Sequence, residues 1–404
     1  MELIFLGTGS SAGLPYIDCI TAPPEREPCK TCLSALTPKG KRNIRRNTSA
    51  VVRLGTKEGR KATIVIDVGK TFQASALEWF PKHGMREIDA ILITHAHADA
   101  LNGLDDLRSW TLYGLIQPHI DIYLSQETFD AVKTSFPYLV SKERASGGGD
   151  VPEFKWHIIH DKVPFEINNT GIHVTPFSGR VYAIEKSCCL TNKSVVHHGF
   201  HSSSSPQDSL QTSPSFSLFD EMPCNMPEKR EIFLSFGYKI DNQLVYISDA
   251  SFIPEESWDI ISSEASGYVP VCVLDCLQLK PHISHFHLAE SVASARRIGA
   301  ARTYLTGFCH AATHEEYVAM GEIVGGALKD QAETSALRTK GFSLEKGVPI
   351  WIRPAHDGLR VTINNGIVWD ETYLNQLPPG ELRRSWTRYL RRILFWKRPV
   401  MPSF

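Results

Sequence analysis

Residues 90–100 read Ala-Ile-Leu-Ile-Thr-His-Ala-His-Ala-Asp-Ala, an apolar run that ends in side chains able to bind a metal. The apolar part is typical of a buried strand, and alternate residues of a strand project to the same face. His95 and His97 should therefore point to one side, with Asp99 close behind them. Imidazole and carboxylate ligands suit Zn²⁺, Mn²⁺ or Fe²⁺. The sequence thus predicts a metal site formed by His95, His97 and Asp99.

Apolar, β-branched segments alternate with helical segments on both sides of this motif. The predicted strands cover residues 3–6, 47–54, 62–68, 90–94, 120–124, 172–176, 231–240, 243–248, 271–275, 303–306, 349–352 and 359–363. The predicted helices cover residues 71–81, 104–116, 289–298 and 315–328. Hairpins occur beside the strand–helix alternation, as at Asp241-Asn242. This mixture predicts an αββα sandwich of two mixed β-sheets flanked by helices, rather than one doubly wound parallel sheet.

Composition and charge set limits on location and partners. The 404 residues carry 43 basic and 44 acidic side chains, so no global charge favours nucleic acid or membranes. No apolar run approaches the roughly 20 residues of a membrane-spanning helix, and the first residues do not form a signal peptide. Nine cysteines are more consistent with metal ligands in a reducing compartment than with disulfides. We expect a cytoplasmic protein; a nuclear location and an oligomeric state stay open.

The chain divides into one large domain and two unusual segments. The domain is predicted over residues 1–370, with a cysteine-rich loop at about 15–46 and a mobile surface insertion, rich in serine and proline, at about 199–228. Residues 371–404 are predicted as a basic amphipathic extension. Its arginine-rich face is interpreted as the solvated side of a packed helix, with binding to an anionic membrane or to RNA phosphates as the alternatives.

The order of three motifs resembles the metallo-β-lactamase superfamily over nearly the whole chain. These motifs are the opening Gly7-Thr8-Gly9, the strand ending in Asp67-Val68-Gly69, and the histidine motif. That family usually has histidine directly after the motif's aspartate, where this chain has Ala100. The resemblance therefore implies a Zn²⁺ or Mn²⁺ active site with one or two ions, because one ligand of the second position is missing.

The same resemblance implies further ligands from later strand ends. They are His198, with His197 as the alternative, Asp249 and His310. His356, just before a predicted strand, is hypothesised to supply the ligand that Ala100 cannot. A turn residue is the competing interpretation of His356.

A second metal site is predicted near the N-terminus. Cys29 and Cys32 form a Cys-x-x-Cys pair close to Cys19, and His314 is predicted to complete a structural Zn²⁺ site. This arrangement resembles the subgroup containing the cyclic phosphodiesterase of bacterial phosphonate breakdown. A redox-active pair is the less favoured interpretation.

The predicted chemistry is hydrolysis of a small phosphate ester. A bound cation lowers the pKa of water toward neutrality, and Asp99 can orient that water. In the resembling subgroup a histidine from the loop at residues 281–288 is the general acid, which implies His287 first and His285 second. We expect a phosphodiesterase acting on a small cyclic phosphate or nucleotide-like ester. The alternatives are a tRNA 3′-processing endonuclease and a non-catalytic metal-binding scaffold.

Overall fold

Two β-sheets face each other across an apolar layer, and helices cover both outer faces, so the αββα prediction is confirmed. The computed structural model describes residues 1–145, 150–184, 230–262, 269–327, 331–343 and 347–373. The predicted insertion, His197, His198 and residues 374–404 lie outside these ranges. Among the described residues, no helix is long and apolar enough to cross a membrane.

The first sheet has eight strands in the order β15-β14-β1-β2-β3-β4-β5-β6. These strands are β1 (Glu2–Gly7), β2 (Ser49–Gly55), β3 (Lys61–Ile66), β4 (Ala90–Leu92), β5 (Ile120–Leu124), β6 (Phe154–Ile158), β14 (Arg360–Asn364) and β15 (Ile367–Asp370). The second sheet has seven strands in the order β13-β12-β11-β10-β9-β8-β7. These are β7 (Phe165–Glu166), β8 (His173–Ile184), β9 (Arg230–Ile240), β10 (Leu244–Ile247), β11 (Val271–Asp275), β12 (Arg302–Thr306) and β13 (Ile352–Pro354).

Helices connect the strands. They are α1 (Ile17–Ile20), α2 (Lys30–Ala35), α3 (Phe72–Lys82), α4 (Ala98–Leu101), α5 (Arg108–Thr111), α6 (Gln126–Ser135), α7 (Pro137–Val140), α8 (Glu255–Ile261), α9 (Leu288–Ile298), α10 (His314–Val324) and α11 (Gln331–Thr339). Helix α3 packs on the outer face of the first sheet, and α8, α9 and α10 pack on the outer face of the second.

The central strands are apolar on both faces because both faces are covered. In β1, Leu3 and Phe5 point into the layer between the sheets, whereas Ile4 and Leu6 point toward α3. This alternation explains why the strand is a continuous apolar run in the sequence. Complete burial of such a side chain stabilises the fold by about 1.5–3 kcal/mol.

The two sheets meet at the edge where the parallel strands end. The amide of Phe236 on β9 donates to the carbonyl of Thr94 at 2.9 Å, and the hydroxyl of Tyr238 donates to the carbonyl of Ile93 at 2.6 Å. These bonds hold the second sheet against the histidine motif. Ligand sites typically lie beyond the carboxyl ends of parallel strands, so this edge is where a site is expected.

Two local predictions have different outcomes. The hairpin turn is confirmed, since Asp241 and Asn242 both have positive φ between β9 and β10. The single helix predicted over residues 104–116 is instead divided into a 3₁₀ turn (Leu104–Leu107), α5 and a second 3₁₀ turn (Leu112–Gly114). The left-handed conformation of Tyr113, with φ of 53°, interrupts the helical path.

Candidate functional site

The three motif residues converge at the carboxyl end of β4. One ligand atom from each of His95, His97 and Asp99 lies within 4.8 Å of the others. The rings of His95 and His97 are nearly perpendicular, with centroids 4.7 Å apart. The strand ends before Thr94, and α4 begins directly after His97. The chain therefore turns sharply enough to bring Asp99 back toward both imidazoles.

Thr94 and Asp67 orient the imidazole of His95. The hydroxyl of Thr94 donates to Oδ2 of Asp67 at 2.8 Å and lies 2.7 Å from Nδ1 of His95. Its single proton goes to the carboxylate, so the hydroxyl accepts from Nδ1–H of the imidazole. Nε2 of His95 then carries the lone pair. This is the tautomer that a metal ligand needs.

The backbone around Asp67 is unusual. Asp67 has φ of 61°, in the left-handed region that is uncommon for residues other than glycine. Burial raises the pKa of its carboxyl well above the usual value, although hydrogen bonds from Thr94 oppose this. At Gly69, a Cβ would lie 1.8 Å from the carbonyl oxygen of Asp99. Glycine is therefore required for β3 to approach the histidine motif this closely.

The donor set fits a divalent cation. Nε2 of His95 and Oδ1 of Asp99 are buried, and neither has a hydrogen-bond partner among the residues that the structure describes. Two unpartnered buried acceptors in one cluster carry a large desolvation penalty, which a bound cation would remove. A mixed imidazole and carboxylate set is appropriate for zinc or manganese.

The second sheet adds Asp249, Asp275 and His285 to the same edge. Nδ1 of His285 lies 2.9 Å from Oδ2 of Asp275 and 3.4 Å from Oδ1 of Asp249. Burial lowers the pKa of His285, but Asp275 and Asp249 outweigh it and raise that pKa to about 9. Burial raises the pKa of Asp275 to about 7. The contacts with Asp275 and Asp249 are both made by Nδ1, on one side of the imidazole ring.

Gly307 makes room for this carboxylate. It follows β12 with φ of 79°, and a Cβ there would lie 2.4 Å from Oδ1 of Asp275. Any other residue at this position would combine backbone strain with a clash against the carboxylate that holds His285.

His287, the first candidate for the general acid, has a different role from the one predicted. It is the N-cap residue of α9, and its Nδ1 lies 2.6 Å from Oε2 of Glu290 in a reciprocal capping arrangement. Of the two candidates, His285 is the one that contacts Asp249.

The thiol cluster contains His310 and not the predicted His314. Nδ1 of His310 lies 3.2 Å from Sγ of Cys19, 3.6 Å from Sγ of Cys29 and 3.7 Å from Sγ of Cys32. These four side chains form the second group of potential metal ligands. The structure thus places His310, from the loop after β12, with the thiols and not in the group formed by His95, His97 and Asp99. The six cysteines that the structure describes are all free.

The thiol cluster also fits a metal ion. Burial raises the pKa of Cys32 to about 12 and also raises the pKa of Cys19. Three thiols here share a single imidazole nitrogen as their possible hydrogen-bond acceptor. Three thiolates and one imidazole would instead complete a tetrahedral zinc site. The small α1 and α2 helices carry little apolar mass beyond this cluster.

His314, the first residue of α10, lies instead in a buried polar network. Its Nδ1 lies 3.5 Å from the guanidinium of Arg45, and its Nε2 lies 3.1 Å from the hydroxyl of Tyr373. The hydroxyl of Tyr373 donates to the carbonyl of Pro354. Nε2 of His314 must then carry the proton, and the Arg45 cation disfavours a second one.

His356 belongs to the same network and cannot replace the ligand missing at Ala100. Its Nε2 lies 2.8 Å from the hydroxyl of Thr372, and its Nδ1 lies 2.9 Å from the carbonyl of Asp357. Its ring neighbours His314, with centroids 5.6 Å apart. Both imidazole nitrogens are already bonded, which corrects the hypothesis that His356 is a metal ligand.

Sequence reasoning missed two residues that shape the site. Thr94 and Asp275 were given no role, although Asp275 ends a buried strand as Asp249 follows one. The signal that identified Asp249 could therefore have identified Asp275. Thr94 gave no signal, because its role depends on Asp67 from another strand.

These features define a metallo-β-lactamase fold, and comparison with known proteins supports this. A family model described as a beta-lactamase superfamily domain matches residues 62–193, which include the histidine motif.

Two solved structures share the architecture. A diphosphatase from the PhnP family superposes with a TM-score of 0.56 at 22% identity, covering 90% of this chain and 98% of that one. Zn²⁺-bound PqqB from Methylobacterium extorquens superposes with a TM-score of 0.54 at 17% identity, covering 90% and 100%. At these identities the likeness establishes the fold.

One curated relative matches part of the chain. An octanoyltransferase from Porphyromonas gingivalis is 28% identical over 167 residues, or 41% of this chain. The match spans only 28% of the length of that relative.

Proposed function

We propose that this protein is a metal-dependent hydrolase of small phosphodiesters, such as a cyclic phosphate or a nucleotide-like ester. The observation that carries the proposal is the convergence of ligand-type side chains from both sheets on one edge. His95, His97 and Asp99 come from the first sheet, and Asp249 comes from the second. The unpartnered Nε2 of His95 and Oδ1 of Asp99 support their role as ligands. His198 is retained as a proposed ligand from outside the described residues.

These residues would hold a Zn²⁺ or Mn²⁺ ion. Such an ion, when bound, polarises a phosphate ester and lowers the pKa of water. Asp99 is proposed to orient the attacking water as well as to bind the cation. His285 is proposed as the proton donor to the leaving oxygen, because Asp275 contacts its Nδ1 and not its Nε2.

The thiol cluster is proposed to hold a structural zinc through Cys19, Cys29, Cys32 and His310. A metal there would connect the cysteine-rich loop to the loop that follows β12. Because little else orders this loop, metal binding and local folding should be coupled.

The test combines elemental analysis with a substrate panel of bis-p-nitrophenyl phosphate, cyclic nucleotides and a pre-tRNA. We expect bound metal and hydrolysis of small diesters, and loss of hydrolysis in His97→Ala. His173→Ala is the matched control, because His173 is exposed at the opposite end of the second sheet.

Other outcomes would decide for the alternatives. Cleavage of the pre-tRNA without hydrolysis of small diesters would favour the endonuclease. Bound metal with no hydrolysis of any substrate would favour a scaffold and contradict the proposal.

A further inference from the structure

Three exposed apolar side chains lie beside candidate site residues, one in space and two in the sequence. Phe233 is 43% exposed, and its ring centroid lies 5.9 Å from that of His97. Phe252, also 43% exposed, follows Asp249 by three residues, and Ile283, 50% exposed, precedes His285 by two. We name these three residues, Phe233, Phe252 and Ile283, the apolar rim.

The apolar rim is unusual because of its location. Single exposed apolar residues are common on protein surfaces, and Leu77 on α3 is an example. The apolar rim differs because Phe233 contacts the ring of His97, whereas Phe252 and Ile283 lie within three residues of Asp249 and His285 in the sequence. Binding sites typically combine apolar walls with a few polar groups that fix orientation. Here the imidazoles and carboxylates are the polar groups.

Main-chain hydrogen bonds hold Phe233 near the histidine motif. Phe233 lies on β9, three residues before Phe236, whose amide donates to the carbonyl of Thr94. Phe233 also pairs with Val181 on β8. The main-chain bonds of β9 therefore place the ring beside His97, with 43% of the residue exposed.

We propose that the apolar rim binds an aromatic group of the substrate, and that Phe233 stacks on it. This inference rests on the proposed phosphodiesterase function and names its substrate class, a phosphodiester with an aryl or nucleobase-like group. Phe233 contacts His97 rather than the proton donor His285. The aromatic group on Phe233 is therefore the ester group that stays on phosphorus.

The test uses two diesters with the same leaving group, phenyl p-nitrophenyl phosphate and methyl p-nitrophenyl phosphate. In both, water attacks phosphorus, the bond to p-nitrophenolate breaks, and the phenyl or methyl ester is retained. Intrinsic reactivity cancels when each variant is compared with wild type on the same substrate. The metal-loaded full-length protein is used throughout.

Phe233→Ala is expected to lower kcat/KM for the phenyl diester by about tenfold, as expected for the loss of one stacked ring. The methyl diester should be hydrolysed as by wild type. Phe233→Tyr keeps the ring and should retain the phenyl preference. Leu77→Ala, which removes an exposed apolar side chain elsewhere, should change neither rate.

Three results would overturn the inference. An equal loss on both diesters would mean that Phe233 only supports His97. No change on either would mean that the ring contacts no substrate. If wild type hydrolysed neither diester, the proposed function would fail first and this inference with it, so the two failures can be told apart.

Discussion

The hydroxyl of Thr94 lies 2.7 Å from Nδ1 of His95, and this contact determines which nitrogen of the imidazole faces the site. Asp67 in turn holds the hydroxyl, so a carboxylate at the end of the neighbouring strand β3 selects the tautomer. Residues that orient metal ligands in this way typically contribute 10- to 100-fold to metal affinity.

Thr94→Val is therefore expected to weaken active-site metal binding by about 10- to 100-fold. Valine keeps the shape of threonine but cannot accept from Nδ1–H. Zinc affinity measured by chelator competition checks this, with the thiol site as an internal reference. Thr94→Ser retains the hydroxyl and should bind as wild type does. Wild-type affinity in Thr94→Val would show that His95 needs no such partner.

His285 should be more important for catalysis than His287. His285→Gln is expected to lower kcat by roughly 10²–10⁴-fold, the usual contribution of a general acid. His287→Asn keeps a residue favoured at helix N-caps and should have little effect on kcat. Steady-state rates with a cyclic nucleotide distinguish them, because its alcohol leaving group needs a proton.

Asp275→Asn gives a further check on the same pair. It keeps the size of the side chain but removes the negative charge beside His285, so we expect an intermediate loss in kcat and a changed pH profile. A larger loss in His287→Asn than in His285→Gln would reverse the assignment.

The thiol site should depend on His310 and not on His314. His310→Ala is expected to lose one zinc per chain and to lower the midpoint of thermal unfolding, because metal binding adds to folding free energy. His314→Gln should be destabilised through the Arg45 network but should keep its full metal content. Elemental analysis of both purified variants makes the comparison. Loss of zinc only in His314→Gln would restore the assignment made from sequence.

Stability should fall between pH 6.5 and about 4. Burial lowers the pKa of His356 from 6.5 to about 4, and that of His314 well below 6.5. Below pH 6.5 the unfolded chain therefore binds protons that the folded chain does not, so acid favours unfolding. For His356 alone the difference corresponds to about 3 kcal/mol at most.

Urea unfolding at pH 7 and pH 5 measures this dependence. His356→Gln should reduce the difference between the two pH values, since glutamine does not titrate. An unchanged difference in this variant would mean that His356 is not one of the groups responsible.

The fold and the cluster of His95, His97 and Asp99 were accessible from sequence because they depend on local patterns. The apolar run before His95, the turn at Asp241-Asn242 and the strand-end position of Asp249 are each visible within a few residues. The same holds for Cys29 and Cys32, whose spacing alone indicated a shared site.

The errors concern partners that only tertiary structure decides. His310 and His314 both lie after β12 and are close in the sequence, but only His314 is part of α10. Which of them meets the thiols depends on where α10 begins, because His314 is its first residue and is directed into the core. His356 was misread for a similar reason, since Thr372 and Asp357 occupy both of its nitrogens.

The division of the active site between two sheets has a mechanical consequence. His95, His97 and Asp99 belong to one half of the sandwich, and Asp249 and His285 belong to the other. A cation bound to residues of both halves would link the two sheets. Its contribution to the free energy of unfolding would rise with the concentration of the cation. Removal of the cation by a chelator would then weaken the contact between the two sheets before it unfolded either sheet.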